Sequence, residues 1–341
     1  MKIVFFDVDR ITRHYLSQNQ ICNGNVVLLE ESMENISPEQ YEQIKDAEVI
    51  SVFVHTALRM NNLSLDRYPH LKLIATRSTG YDHIDLDYCQ KRGIAVVHVP
   101  KYGESTVAEF AFGALLALNR HILQARTDMK NNFVRMNEYI GFDLYGHTIG
   151  IIGTGSIGRH MAKLAKGFGM EILAYDPYPN DEIRRIFGLK YVSLDKLYEK
   201  ADIISLHAPA TKENYHMLND TAFQKMKKGV IIVNTARGSL IDPEALYRAI
   251  VSHKVGGAAL DVLENEDFII HDDIILKSQD IPKEFAMNTI VNARLMQLKN
   301  VLITPHIAFN SIDAVHRILN TTLDNINAFC RGRVKNSVLA K

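Results

Sequence analysis

Residues 147–158 read His-Thr-Ile-Gly-Ile-Ile-Gly-Thr-Gly-Ser-Ile-Gly, and this stretch restricts the possible fold more tightly than any other. An apolar run at 149–152 ends on Gly153-x-Gly155-x-x-Gly158. Apolar residues then recur at helical spacing (Ile157, Met161, Leu164, Ala165, Phe168) up to Gly169. A second apolar run, Glu171 to Tyr175, ends on Asp176. The order is strand, tight turn, helix, strand, acid. In such a unit Gly153 permits the turn, Gly155 lets a pyrophosphate reach bare backbone, and Gly158 lets helix and strand pack closely. The positive end of the helix faces the phosphates. Asp176 follows Gly158 by 18 residues, about where a carboxylate for the adenosine ribose is expected. The stretch predicts a dinucleotide site.

A chain of 341 residues has room for two domains, each with its own core. Its 39 Lys and Arg balance 39 Asp and Glu, so no net charge draws it to nucleic acid or to an anionic membrane. Cys22, Cys89 and Cys330 lie far apart and form no CxxC pair. They are expected to be free thiols in a reducing compartment, with neither a disulfide framework nor a metal site. The N-terminus reads as a buried strand without the features of a signal peptide. Phe110 to Leu118, the most apolar stretch, is far too short to span a bilayer. A cytoplasmic protein is expected.

The expected fold is α/β, with two doubly wound, Rossmann-like parallel-sheet domains and a cleft between them. Apolar runs at 3–6, 25–29, 49–54, 72–76 and 94–99 read as strands buried on both faces. Between them, Ser37-Pro38-Glu39-Gln40 is a capping-box start, and a helix from about Asp85 stops at Gly93. This first set carries no glycine fingerprint. A long, mostly apolar helix is expected from Ser105 to about Arg126, either as core or as a connector that also packs on a second subunit. After the fingerprint, strands are expected at 202–206, 230–234, 255–261 and 300–304. Helices are expected after Asn219 or Asp220 and at Asp242-Pro243-Glu244. Residues 267–299 suit a helical excursion, and a last helix runs from about Ser311 to Phe329. It could return to the first domain. The predicted division is therefore a discontinuous substrate domain, 1–100 plus 305–341, and a dinucleotide-binding domain, 101–304.

Three stretches at predicted strand ends carry reactive side chains, where ligands of open α/β sheets bind. Asn234-Thr235-Ala236-Arg237-Gly238 offers a planar cation suited to a carboxylate. Asp261-Val262-Leu263-Glu264-Asn265-Glu266 is acidic, and Thr304-Pro305-His306-Ile307-Ala308 supplies an imidazole. Each alone also suits an ordinary surface or core residue.

Together with Arg77-Ser78-Thr79-Gly80-Tyr81-Asp82-His83-Ile84-Asp85, these stretches resemble the D-isomer-specific 2-hydroxyacid dehydrogenases over nearly the whole chain. The long insertion between Glu266 and His306 is similar to the D-lactate dehydrogenase branch. The resemblance implies Arg237 as the substrate-binding arginine, Glu266 as the acid that orients the histidine, and His306 as the general acid/base. Glu266 is the acid five residues after Asp261, which the family pattern requires, so Glu264 is passed over. On the cofactor side it implies NAD, with Ser156 and Ile157 in the pyrophosphate turn and Asp176 on the ribose. Ala208, Pro209 and Asn214 would line the cofactor, Asn234, Thr235 and Ala236 would do so by backbone, and Asp261 would meet the nicotinamide amide. Thr79 and Gly80 match the loop that holds the substrate carboxylate, and Tyr102 and Phe309 match aromatic pocket residues. Gly103-Glu104 and Asn310 depart from the branch's usual residues, which affects the shape of the pocket.

The implied partner is a small 2-oxo or 2-hydroxy acid, and a homodimer or higher homo-oligomer is expected. Pyruvate is the first choice, because segments 52–55, 78–82 and 306–310 contain no lysine or arginine for a phosphate. D-2-hydroxyisocaproate and 3-phosphoglycerate dehydrogenases are the rival enzymes. A formate dehydrogenase would carry glutamine in place of Glu266. A corepressor that senses NAD(H) is the reading from another class, and no recruitment tail supports it.

Overall fold

The computed structural model describes residues 1–53, 60–266 and 283–339. The chain forms two compact units, Met1–Tyr102 with Asn310–Lys341, and Gly103–Phe309. Both division points differ slightly from those drawn on the sequence, and for local reasons. Residues 305–309 stay with the second unit, where Asp261 accepts the amides of Ile307 and Ala308. Tyr102 stays with the first, where its carbonyl accepts Arg317 Nε.

In the first unit, β1 (Lys2–Phe5), β2 (Asn25–Leu28), β3 (Val49–Val52), β4 (Leu73–Thr76) and β5 (Ala95–Val97) form a parallel sheet in the order β2-β1-β3-β4-β5. Strand periodicity sorts the side chains between its two faces. Val4, Phe6, Ile50 and Ile74 pack with Leu65 and Tyr68 on one side. Ile3, Phe5, Val49 and Leu73 pack with Leu323 and Ile326 of the terminal helix Ile312–Cys330 on the other. That helix starts on Ser311, whose hydroxyl accepts the Ala314 amide. The Ser37 capping box forms as its sequence predicts, with Gln40 reaching back to the Ser37 amide. Helix Leu86–Arg92 ends on Gly93 in the left-handed region.

In the second unit, β6 (Thr148–Ile152), β7 (Glu171–Tyr175), β8 (Lys190–Tyr191), β9 (Ile203–Leu206), β10 (Val230–Asn234), β11 (Val255–Leu260) and β12 (Val301–Ile303) form a parallel sheet. Their order is β12-β11-β10-β9-β6-β7-β8. The order reverses at β6, which pairs with β7 on one side and β9 on the other. A ligand crevice is expected beyond the strand ends at such a reversal.

Two features differ from the sequence reading. The long helix breaks into Glu104–Asn119 and Ile122–Lys130, because His121 adopts a left-handed backbone. Asn119, buried at the break, donates instead to the Phe142 carbonyl. Cys22 and Cys330, expected as free thiols, are joined as a disulfide, and only Cys89 is free among the cysteines. The terminal helix brings this pair together across 308 positions of sequence, which no local spacing could reveal. The expected excursion does contain a helix, Lys283–Met296, while 267–282 lie outside the described residues. Helix Arg10–Gln18, capped by Asp9, fills the interval between the first two expected strands. Among the described residues no helix is long and apolar enough to cross a membrane.

Candidate active site

The glycines of the fingerprint are fixed by close approach. Gly153 lies at φ +91°, and a Cβ there would stand 2.7 Å from the His207 carbonyl carbon. A Cβ on Gly158 would stand 2.0 Å from the Gly153 oxygen, whereas one on Gly155 would meet nothing within 4 Å. Backbone is thus bare and open at the middle glycine. The helix Ser156–Gly167, which contains Ser156 and Ile157, begins there without a side-chain cap. Its first amides and positive end remain available to an anion.

Asp176, at the end of β7, is tied back to this turn. Its Oδ2 accepts the Thr154 amide at 2.7 Å and the Thr154 hydroxyl at 2.8 Å, while Oδ1 accepts the Tyr178 amide. Thr154 occupies a variable position of the fingerprint, so no sequence signal marked it. Beyond β9, Asn214 closes the loop that holds Ala208 and Pro209. It donates to the Pro209 carbonyl and accepts the Thr211 amide.

Beyond β10, the buried Asn234 shapes the arginine turn by donating to the Arg237 carbonyl and accepting the Ala236 amide. Thr235 Oγ1 is buried without a hydrogen-bond partner, a polar atom that a bound group would satisfy. The open Gly155, the uncapped helix start and this hydroxyl fit a dinucleotide.

Beyond β11 and β12 the acid and the histidine meet. Glu266 Oε1 lies 2.6 Å from His306 Nδ1, and Glu266 Oε2 accepts the Leu263 amide at 2.9 Å. His306 adopts φ +51°, and its amide donates to the Asp261 carbonyl. The Asp261 side chain builds that turn. Its Oδ1 accepts the Thr304 hydroxyl and the Ile307 amide, and its Oδ2 accepts the Ala308 amide. Burial pushes the Asp261 carboxyl above its ordinary range, and these bonds oppose the shift. Asp261 was expected only to face a nicotinamide, and the structure gives it this second task.

Thr79, Gly80 and Tyr102 belong to the other unit. There Thr79 Oγ1 donates to the Val99 carbonyl, Ser78 Oγ donates to the Gly80 carbonyl, and His98 Nδ1 lies 2.9 Å from the Thr79 carbonyl. Arg237, Glu266, His306 and Phe309 share the second unit with the fingerprint.

Residues 112–308 match the family profile described as D-isomer specific 2-hydroxyacid dehydrogenase, NAD binding domain. The chain belongs to this family. It is an NAD-dependent D-2-hydroxyacid dehydrogenase. The D-lactate dehydrogenase of Escherichia coli (strain K12) is 36% identical over 332 residues, which cover 97% of this chain and 98% of that one. An aromatic 2-oxoacid reductase of Clostridium sporogenes (strain ATCC 7955) is 40% identical over 273 residues, 80% of each chain. Among solved structures, the dehydrogenase is similar to D-lactate dehydrogenase from Aquifex aeolicus complexed with NAD and lactic acid. That match has a TM-score of 0.83, with 35% identity and 99% of each chain covered.

Proposed function

We propose that this dehydrogenase reduces a small 2-oxo acid, pyruvate before others, to the D-2-hydroxy acid, with His306, Glu266 and Arg237 as its working side chains. The observation that carries the reading is the 2.6 Å contact between Glu266 Oε1 and His306 Nδ1. With Nδ1 engaged by a carboxylate, proton exchange with substrate falls to Nε2. Bound NADH would supply a hydride to C2 of the 2-oxo acid. His306 would give the carbonyl oxygen its proton as negative charge grows there. Arg237 would hold the substrate carboxylate and polarise the carbonyl. Gly153, Gly155, Ser156, Ile157 and Gly158 would hold the pyrophosphate and Asp176 the ribose. Ala208, Pro209, Asn214, Asn234, Thr235 and Ala236 would line the cofactor, and Asp261 has lone-pair capacity left for the nicotinamide amide.

Thr79 and Gly80 would contribute amides to the same carboxylate, with Tyr102 and Phe309 narrowing the space about C3. The absence of Lys and Arg from 52–55, 78–82 and 306–310 supports pyruvate over a phosphorylated acid. The preference over branched or aromatic acids is weaker, because one methylene changes binding by only ~1–3 kcal/mol.

A homodimer is part of the proposal. The helix Ile122–Lys130 buries none of its residues. Leu123, Met129, Phe133, Met136 and Ile140 form an exposed apolar series, and Met136 is 77% exposed. Such a surface suits an oligomer interface.

The test is a panel of pyruvate, 2-oxoisocaproate, phenylpyruvate and 3-phosphohydroxypyruvate with NADH, with chiral analysis of the product. Pyruvate should give the highest kcat/KM and D-lactate the product. A higher value for another acid would reassign the substrate, and an L product would overturn the reading.

A further inference from the structure

The mechanism leaves Glu264 unused, although it stands two residues from Glu266, the acid proposed to orient His306. Its side chain is only 10% exposed. Glu264 Oε2 lies 2.9 Å from His216 Nε2 and accepts Asn288 Nδ2 at 3.2 Å. Its main-chain carbonyl accepts Asn292 Nδ2 at 3.0 Å. Asn288 and Asn292 are one helical turn apart on Lys283–Met296, and both are buried. The same helix is anchored in the core of the unit through Val291 and Leu295.

His216 joins this group to the arginine loop. Its amide donates to the Ser239 carbonyl at 2.9 Å, two residues past Arg237. Gly238 touches the acidic turn directly, since a Cβ there would stand 2.1 Å from the Leu263 carbonyl carbon and 2.3 Å from the Glu264 nitrogen. The Leu263 amide in turn donates to Glu266 Oε2. A continuous set of contacts therefore runs from the Arg237 loop through His216 and Glu264 to the turn that aims Glu266 at His306.

We propose that Glu264 is a positioning residue. Clamped by His216 and by Asn288 and Asn292, it sets the spacing between the Arg237 loop and the Glu266–His306 pair. The helix Lys283–Met296 then has a task in the reaction, as the wall on which the acidic turn is mounted. The physical reason is that a carboxylate with two nitrogen donors and a bonded backbone has one arrangement. Loss of that arrangement frees the turn to drift, and a drift of about 1 Å near reacting groups costs on the order of 100-fold in rate.

The inference rests on the assignment of Arg237, Glu266 and His306 above, and the experiment separates the two. Glu264→Ala, Glu264→Gln, His216→Ala and the double alanine variant are compared with His306→Ala, using the best 2-oxo acid of the panel. Glu264→Ala should lower kcat/KM for the 2-oxo acid by about 10- to 100-fold while NADH affinity, read by fluorescence titration, stays within about twofold. Glu264→Gln keeps an oxygen acceptor and should recover most of that loss. His216→Ala should be impaired, and the double variant should be no worse than Glu264→Ala, since both changes break one link. Unchanged kcat/KM in Glu264→Ala, a Gln variant as poor as the Ala variant, or additive losses in the double variant would each overturn the proposal. Should Glu264→Ala fail to fold, His216→Ala decides: full activity in that variant would overturn it. Full activity in His306→Ala would instead bring down the assignment on which it rests.

Discussion

Glu266 holds His306 by Nδ1 at 2.6 Å while its second oxygen accepts the Leu263 amide, so the carboxylate is fixed at both ends. An acid held this way can orient an imidazole without being the group that reacts. His306→Ala should therefore lose roughly 10²- to 10⁴-fold in kcat, with NADH binding within about threefold of the parent because the fingerprint lies at other strand ends. Glu266→Gln should lose less than His306→Ala. Stopped-flow reduction and fluorescence titration measure both quantities, and equal losses of NADH affinity and kcat would contradict the assignment.

Asp176 presents a carboxylate beside the fingerprint turn, held by Thr154 and Tyr178. A ribose 2′-phosphate brought to it would meet a like charge, a contact that costs several kcal/mol. Asp176→Ser should raise the ratio of NADPH to NADH efficiency by at least about tenfold. An unaltered ratio in that variant would place cofactor selection elsewhere.

Asp261 accepts three donors from the turn that carries His306. Asp261→Asn replaces one acceptor oxygen with an amide that faces a donor. The expected cost is about 1–3 kcal/mol for the unsatisfied group, seen in urea unfolding, together with a fall in kcat as the His306 turn loosens. Parental stability and parental kcat in this variant would show that the turn holds without the carboxylate.

Burial pushes the His207 imidazole down to about 4 from an ordinary 6.5, and its Nε2 lies 2.9 Å from Ser205 Oγ. Between these two values the unfolded chain binds a proton that the folded one refuses. The stability linked to this group is thus complete above pH 6.5 and declines as pH falls toward 4, by at most about 1.4 kcal/mol per pH unit. Unfolding free energies measured from pH 7 to 5 should fall less steeply in His207→Gln than in the parent. Parallel slopes would exclude His207 as the source.

The exposed apolar series about Ile122–Ile140 should mediate self-association. Met136→Glu combined with Ile140→Glu places two charges on it, and light scattering should show a lighter species with each chain still folded by circular dichroism. A monomeric parent would refute the interface, and a dimeric double variant would move it to another face.

The local code of this chain determined a great deal by itself. The run Ile149–Ile152, the three glycines and Asp176 specify a strand, turn, helix and strand through sterics that act over a few residues, and Ser37, Asp85, Asn219 and Asp242 cap helices where their side chains reach the nearest amides. Double-sided burial likewise marks the strands as runs of apolar residues. Tertiary structure decided what depends on partners distant in sequence. Spacing from Asp261 singled out Glu266 over Glu264, but what each carboxylate meets is tertiary: one turn aims Glu266 at His306 while Glu264 meets His216 and Asn288. The Cys22–Cys330 link, the Thr154–Asp176 bond and the break at His121 arise in the same way. Hydrogen bonds and close contacts act over a few ångströms, so these pairings exist only once folding has brought their segments together.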